Sequence, residues 1–200
     1  MIGIAREDGL LLLTLQRPEK ANALRRAMLV DLLAALEDPP QVLILTGAGR
    51  VFSAGADLDE AKAGLATDPI WDAVSNRIAN LPGLTIAALN GTLAGGAMGM
   101  ALACDLRLAV PGATFFYPVM GLGYLPQPAD PARLVALIGP ARAKLILMAG
   151  AKIEAEEALA WGLIDRIVAA EDLLPTARAL AADVLAAIPG HAGAIKRLIG

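Results

Sequence analysis

The chain has 200 residues, 56% of them hydrophobic and 18% charged: enough apolar chain for one domain with a sizeable core, and too apolar for disorder. Its net charge of −3, with 17 scattered basic residues, argues against a nucleic-acid partner, which needs concentrated Lys and Arg. The lone Cys104 cannot form an internal disulfide; in the most apolar stretch of the chain, it reads as a small buried core residue. Residues Met1 to Asp8 lack a basic start followed by a long apolar core, so no signal peptide is expected and a cytoplasmic location is.

In chain order, Leu10 to Leu15 predicts a strand that ends in the loop Arg17-Pro18-Glu19-Lys20. Asn22 is expected to cap a helix over about 23–37, with Leu24, Met28, Leu32, Leu33 and Leu36 apolar, stopped by Asp38-Pro39-Pro40. Val42 to Leu45 reads as a strand buried on both faces. A helix is expected near Asp57, with Asp59 and Glu60 in its first turn where the dipole favours them, and another from Asp68-Pro69 to about Asn80. No charge occurs from Ile78 to Cys104, but Pro82-Gly83 and Asn90-Gly91 break that run into pieces too short to cross a bilayer. Leu84 to Leu89 is then a buried strand, and Gly95 to Cys104 a helix buried on all sides. The start of that helix is nearly bare of side chains, so its unpaired N–H groups could hold a negative charge or a polarised carbonyl.

Leu106 to Val110 predicts a strand. Phe115 to Ala129 is rich in Pro and Gly yet uncharged, which suits the lining of a pocket better than a solvated loop. Asp130-Pro131 opens a helix, Asp130 reading as its cap, and Gly139-Pro140 breaks it before a second helix over 141–148. A short helix over 154–161 stops at Gly162; a strand over 164–168 and a long helix over 171–188 follow. Strands alternating with helices predict a single α/β domain over 1–200.

Several motifs fail on inspection. Gly47-Ala48-Gly49 lacks the third glycine of a dinucleotide fingerprint, because Phe52 stands there. Ser53 lacks the first glycine of a nucleophile elbow. His191, the only histidine, follows Pro189-Gly190 and reads as a loop residue, which disfavours a Ser-His triad or a His-based metal site. What remains is two Gly/Ala turns after strands, Ser53 to Asp57 and Leu93 to Ala97. Each could let a substrate approach the backbone or could merely allow close helix–strand packing.

The order and context of these turns resemble the enoyl-CoA hydratase/isomerase, or crotonase, family. The matching stretches are Arg17 to Leu24, Thr46 to Leu58, Asn90 to Asp105 and Glu156 to Ile164. The resemblance implies a crotonase-like spiral of strand-strand-helix units with a shortened C-terminal helical region. It also implies an acyl-CoA thioester substrate, coenzyme A entering only as part of that substrate with no permanent cofactor, and a homo-oligomer, either a trimer or a dimer of trimers. Carried over by position, the catalytic oxyanion hole would be the N–H groups of Ala56 and Gly96. The CoA channel would be lined by Ala23, Leu24, Ala54, Asp57 and Leu58. The two glutamates that family hydratases use as acid and base fall at Gly99 and Val119, neither of which can transfer a proton. Tyr117 and Tyr124 are the only titratable groups of the pocket segment, and Asp130 is the nearest carboxylate. Three functions follow: enolate chemistry such as decarboxylation that leans on the oxyanion hole, a hydratase or isomerase with its proton-transfer group elsewhere, or a non-catalytic acyl-CoA binder.

Overall fold

The structure, a computed structural model, describes residues 1–199. The chain runs β1 (Ile2–Glu7), β2 (Leu10–Leu15), α1 (Arg26–Ala35), β3 (Val42–Gly47), β4 (Val51–Ser53), α2 (Leu58–Lys62) and α3 (Ile70–Ala79). It continues through β5 (Leu84–Leu89), β6 (Thr92–Ala94), α4 (Met98–Leu102), β7 (Leu106–Ala109), β8 (Thr114–Phe116), α5 (Val119–Leu122) and α6 (Asp130–Leu147). It ends with β9 (Ile153–Glu154), α7 (Ala155–Trp161), β10 (Arg166–Ile167), α8 (Leu173–Ala186) and α9 (His191–Ile199).

Two sheets share these strands. A six-stranded sheet has the order β1-β2-β3-β5-β7-β10, and a four-stranded sheet the order β4-β6-β8-β9. The chain visits them in alternation. Each of β3, β5 and β7 in the large sheet is followed within a few residues by β4, β6 or β8 in the small one, and then by helix. The path is therefore a spiral of strand-strand-helix units, as the family resemblance implies. The strands from β2 onward in the large sheet pair in parallel, and β3 and β5 are almost wholly buried, which is why their sequences are continuous apolar runs. Leu11, Leu13, Leu45, Phe52 and Phe115 are fully buried in the core between the layers.

Four local readings are corrected. β1 is an antiparallel edge strand, largely exposed, so it lacks the buried apolar run that marks the others; Asp8 (φ 45) and Gly9 (φ 86) form its hairpin turn. The first long helix starts at Arg26, because Ala21 and Asn22 are left-handed (φ 49 and 51). Asn22 does not cap it. Its amide ties three loops, accepting from Arg17 N–H (2.8 Å) and donating to the carbonyls of Ala48 (2.9 Å) and Val51 (2.7 Å). The strand expected over 164–168 shrinks to β10, and α9 follows where no helix was expected. By contrast, Gly139 does break α6, with non-helical angles of φ 77 and ψ 166, and Asp57 does start α2. Among the described residues no single helix is long and apolar enough to cross a membrane, and no three His, Cys, Asp or Glu side chains group as a metal site.

Candidate active site

The three parallel strands of the small sheet end side by side, and the segments that leave them build one cleft. Ala54 to Ala56 leave β4, Gly95 and Gly96 leave β6, and Tyr117 to Val119 leave β8. Crevices at the carboxyl ends of parallel strands are where open α/β sheets ordinarily bind ligands.

The first two segments touch. A side chain on Gly55 (φ 91) would meet the Ala94 carbonyl at 3.0 Å and the Gly95 Cα at 3.4 Å. Gly55 therefore needs to be glycine, the left-handed backbone of Gly95 (φ 56) favours glycine there, and the two turns lie against each other. The β4 turn is pinned on its other side. Ala54 N–H donates to Ala21 O (2.9 Å), Gly55 N–H to Ser53 Oγ (3.1 Å) and Asp57 N–H to Leu24 O (2.8 Å). Among the described residues Ala56 N–H meets no acceptor, so it is the free donor of its turn. The residues Gly95 to Ala97 form a 3-10 turn that leads into α4. Gly96 N–H lies in that first turn, where no intrahelical carbonyl is in reach. Ala56 and Gly96 are both half-buried and both line the cleft.

The cleft holds about 690 Å³ of non-protein space, solvent at its mouth included. Trp71 forms one wall, with its ring 3.3 Å from where a Gly96 side chain would begin and its Nε1 donating to Leu65 O (2.7 Å). The Pro- and Gly-rich segment supplies Tyr117, Val119, Leu122, Tyr124, Leu125 and Gln127 to the opposite wall. Of the residues expected at the site, Ala54, Ala56, Leu58 and Gly96 come together in this wall. Leu24 is fully buried behind it and bridged to Ala56, and the Ala23 carbonyl accepts from Arg17 (3.0 Å). Asp57 caps α2 through Asp59 N–H and accepts from Arg17 Nη1 at 2.6 Å. That arginine hydrogen bond holds the Asp57 carboxyl below the usual carboxylate range. Gln127 falls in the segment 115–129 that the sequence predicts to line a pocket, whereas Trp71 is not expected there, since nothing local in a helix says which face meets the cleft. Another hollow, bounded by Pro39 to Gln41, Pro82-Gly83 and the α8–α9 corner, is lined by no charged side chain.

Behind the cleft wall lies a buried carboxyl. Asp130 is the first residue of α6 but makes no capping bond, contrary to the sequence reading; its side chain turns inward and is fully buried. Its Oδ2 is 3.0 Å from the Tyr117 hydroxyl, which also accepts from Gln127 N–H (3.2 Å). Its Oδ1 has no partner among the described residues and sits 2.6 Å from where a side chain on Gly99 would begin. Burial pushes the Asp130 carboxyl up to about 7, against the Tyr117 hydrogen bond and the charge of Arg133, with Asp72 adding to the rise. Burial, then the charge of Asp130, pushes the Tyr117 hydroxyl well above its ordinary value. Burial likewise pushes the Cys104 thiol up to about 12, and its Sγ donates to Met100 O (3.3 Å), so it is not a nucleophile.

Comparison with known proteins gives this geometry a lineage. The profile of the family described as enoyl-CoA hydratase/isomerase matches residues 5–199. The chain is 33% identical to 4-chlorobenzoyl coenzyme A dehalogenase-2 of Arthrobacter sp over 95% of its own length and 74% of the relative's. It is 36% identical to the carnitinyl-CoA dehydratase of Escherichia coli K12, over 98% of its own length and 78% of that protein's. The crystal structure of an enoyl-CoA hydratase from Bacillus anthracis superposes with a TM-score of 0.90 at 32% identity, covering 99% of this chain and 81% of that one. These relatives differ in the reaction named for them. By sequence along nearly its whole length and by its spiral of paired strands, the chain belongs to the enoyl-CoA hydratase/isomerase family of acyl-CoA enzymes.

Proposed function

We propose that this protein binds an acyl-CoA thioester with its carbonyl oxygen between the N–H groups of Ala56 and Gly96, and stabilises the enolate formed next to it. The observation that supports this reading is the close approach of the two glycine turns at Gly55 and Gly95, with Ala56, whose N–H has no acceptor among the described residues, and Gly96, in the first turn of its helix, both lining one cleft. Charge develops on the thioester oxygen as the neighbouring carbon loses a proton or CO2, and each aimed donor is typically worth about 3–4 kcal/mol of barrier. Ala54 and Leu58 would line the channel for the CoA moiety, with Ala23, Leu24 and Asp57 supporting that wall from behind.

Decarboxylation, which needs no base, or isomerisation with a proton-transfer group other than Gly99 and Val119 is favoured over hydration, because those two positions offer no acid or base to activate water. The substrates that separate these outcomes are a methylmalonyl-type CoA, a 3-enoyl-CoA and crotonyl-CoA. Turnover of either of the first two without rapid hydration of the third is expected. Rapid hydration of crotonyl-CoA would overturn the preference, and failure of every CoA ester to bind would overturn the site. Ala56→Pro, which deletes one donor, is expected to slow turnover about 10²–10³-fold if its donor acts as proposed. The non-catalytic binder is the second reading, favoured by the same two residues, Gly99 and Val119; tight binding with no turnover of any ester would establish it.

A further inference from the structure

Among the described residues the cleft is lined by no carboxylate, yet one stands directly behind it. Tyr117 is part of the cleft wall, and its hydroxyl links Gln127, also in the wall, to the buried Asp130. The Asp130 carboxyl lies over Gly99, three residues beyond the Gly96 donor on the same helical run. The absence of a side chain at Gly99 makes room for it: even a methyl group there would collide with Oδ1. A fully buried carboxyl with one oxygen unpaired by any described residue is costly to keep, and such groups call for an explanation.

We propose that the Tyr117 hydroxyl is the catalytic proton-transfer group of this cleft, with Asp130 as the positioning residue that supplies and stores its proton. The proposal rests on the enolate reading above. In the protonating direction Asp130 begins neutral, its O–H donating to the Tyr117 oxygen. Tyr117 then points its own proton into the cleft. The Tyr117 O–H bond breaks as a C–H bond forms at the carbon next to the thioester carbonyl, whose enolate electron pair makes the new bond. The Asp130 O–H bond breaks as a new Tyr117 O–H bond forms, leaving Asp130 as carboxylate and Tyr117 neutral. The reverse sequence removes a proton from that carbon. Tyrosinate never accumulates, which suits a hydroxyl whose proton is held tightly by burial. Gln127 N–H fixes the tyrosine oxygen in either state. The charged and titratable groups around the pair are Asp72 of α3 and Arg133 of α6, with Arg133 tied to Ser75 Oγ (2.8 Å) and Asn76 Oδ1 (2.7 Å).

The test uses butyryl-CoA as probe, following loss of its α-hydrogens to D2O by NMR while calorimetry follows its binding. Wild-type protein is expected to exchange those hydrogens with a pH inflection near 7. Tyr117→Phe is expected to bind the ester unchanged and exchange at least about 100-fold more slowly, the usual scale of a positioned acid–base group. Asp130→Asn is expected to slow exchange and abolish the inflection, which a merely structural role would leave in place. If Tyr117→Phe does not fold, 3-fluorotyrosine at position 117 keeps the size, makes the hydroxyl more acidic and is expected to change the rate of exchange while the inflection set by Asp130 stays. Wild-type exchange by Tyr117→Phe, an intact inflection in Asp130→Asn, an unchanged exchange rate with 3-fluorotyrosine, or binding without exchange by the wild type would each overturn the relay alone. Failure of butyryl-CoA to bind would instead remove the thioester site, and the relay with it.

Discussion

At the scale of single residues, Asp130 and Gly99 form a coupled pair. The folded-state value of Asp130, about 7, lies above its ordinary value of 3.8. Between those values the native protein keeps a proton that the unfolded chain has released, so the contribution of Asp130 to stability is present below about pH 4 and is lost as pH rises to 7. Asp130→Asn carries no such proton and is expected to gain on the wild type with rising pH, by an amount on the order of 4 kcal/mol. Urea denaturation of both proteins at acidic and mildly alkaline pH measures the difference, and parallel profiles would contradict it. Gly99→Ala forces a methyl group against the carboxyl and is expected to cost about 1–3 kcal/mol. In an Asp130→Ala background the obstruction is gone, and the same change should become neutral or stabilising, as alanine favours a helix interior by up to about 1 kcal/mol over glycine. Additive effects in that double-mutant cycle would argue that the two residues do not share one space.

At the scale of elements, the site depends on two turns held at fixed separation. The β4 turn is anchored by Ser53 and by the Ala21–Leu24 segment, and Asn22 locks that segment to the loop between β3 and β4. The buried Arg17–Asp57 pair clamps the same region from below at 2.6 Å. Gly55 is where this assembly meets the β6 turn. Gly55→Ala adds a Cβ to a left-handed residue and presses it on the Ala94 carbonyl. The expected cost in stability is about 1–2 kcal/mol from the backbone conformation. The larger effect should fall on turnover of a CoA ester, since a 1 Å misplacement can cost about 100-fold. Steady-state kinetics alongside a melting curve separates the two; unchanged kcat would mean that the spacing of the turns does not set the reaction.

At the scale of the whole molecule, apolar side chains are exposed both at the cleft and at the end of α9. Leu58 and Leu125 of the cleft lining are 74% and 85% exposed, and Leu198 and Ile199 at the end of α9 are 88% and 82% exposed. Apolar side chains this exposed are apt to be covered by ligand or by other subunits. A homo-oligomer is expected, three or six times the 20.6 kDa chain. Sedimentation equilibrium at micromolar concentration tests this, and a single monomeric species would refute it.

Most of the architecture was legible in the chain because its signals are local. Apolar runs marked the buried parallel strands, Gly139-Pro140 marked the break in α6, and an uncharged Pro- and Gly-rich stretch marked the cleft wall. The exposed β1 was missed because an edge strand buries too little to show such a run. Asn22 was misread because its capping chemistry serves three loops that the sequence does not show meeting. The family was determined by sequence alone, through four ordered stretches that include the two glycine turns, whereas the sequence left open whether those turns serve a substrate or only close packing. Their contact was decided only by the tertiary structure, through the pairing of β4 with β6. So was the position of the carboxyl. An Asp-Pro at a helix start reads as a cap, and only the packing of α6 against α4 turns Asp130 inward, over a glycine 31 positions earlier.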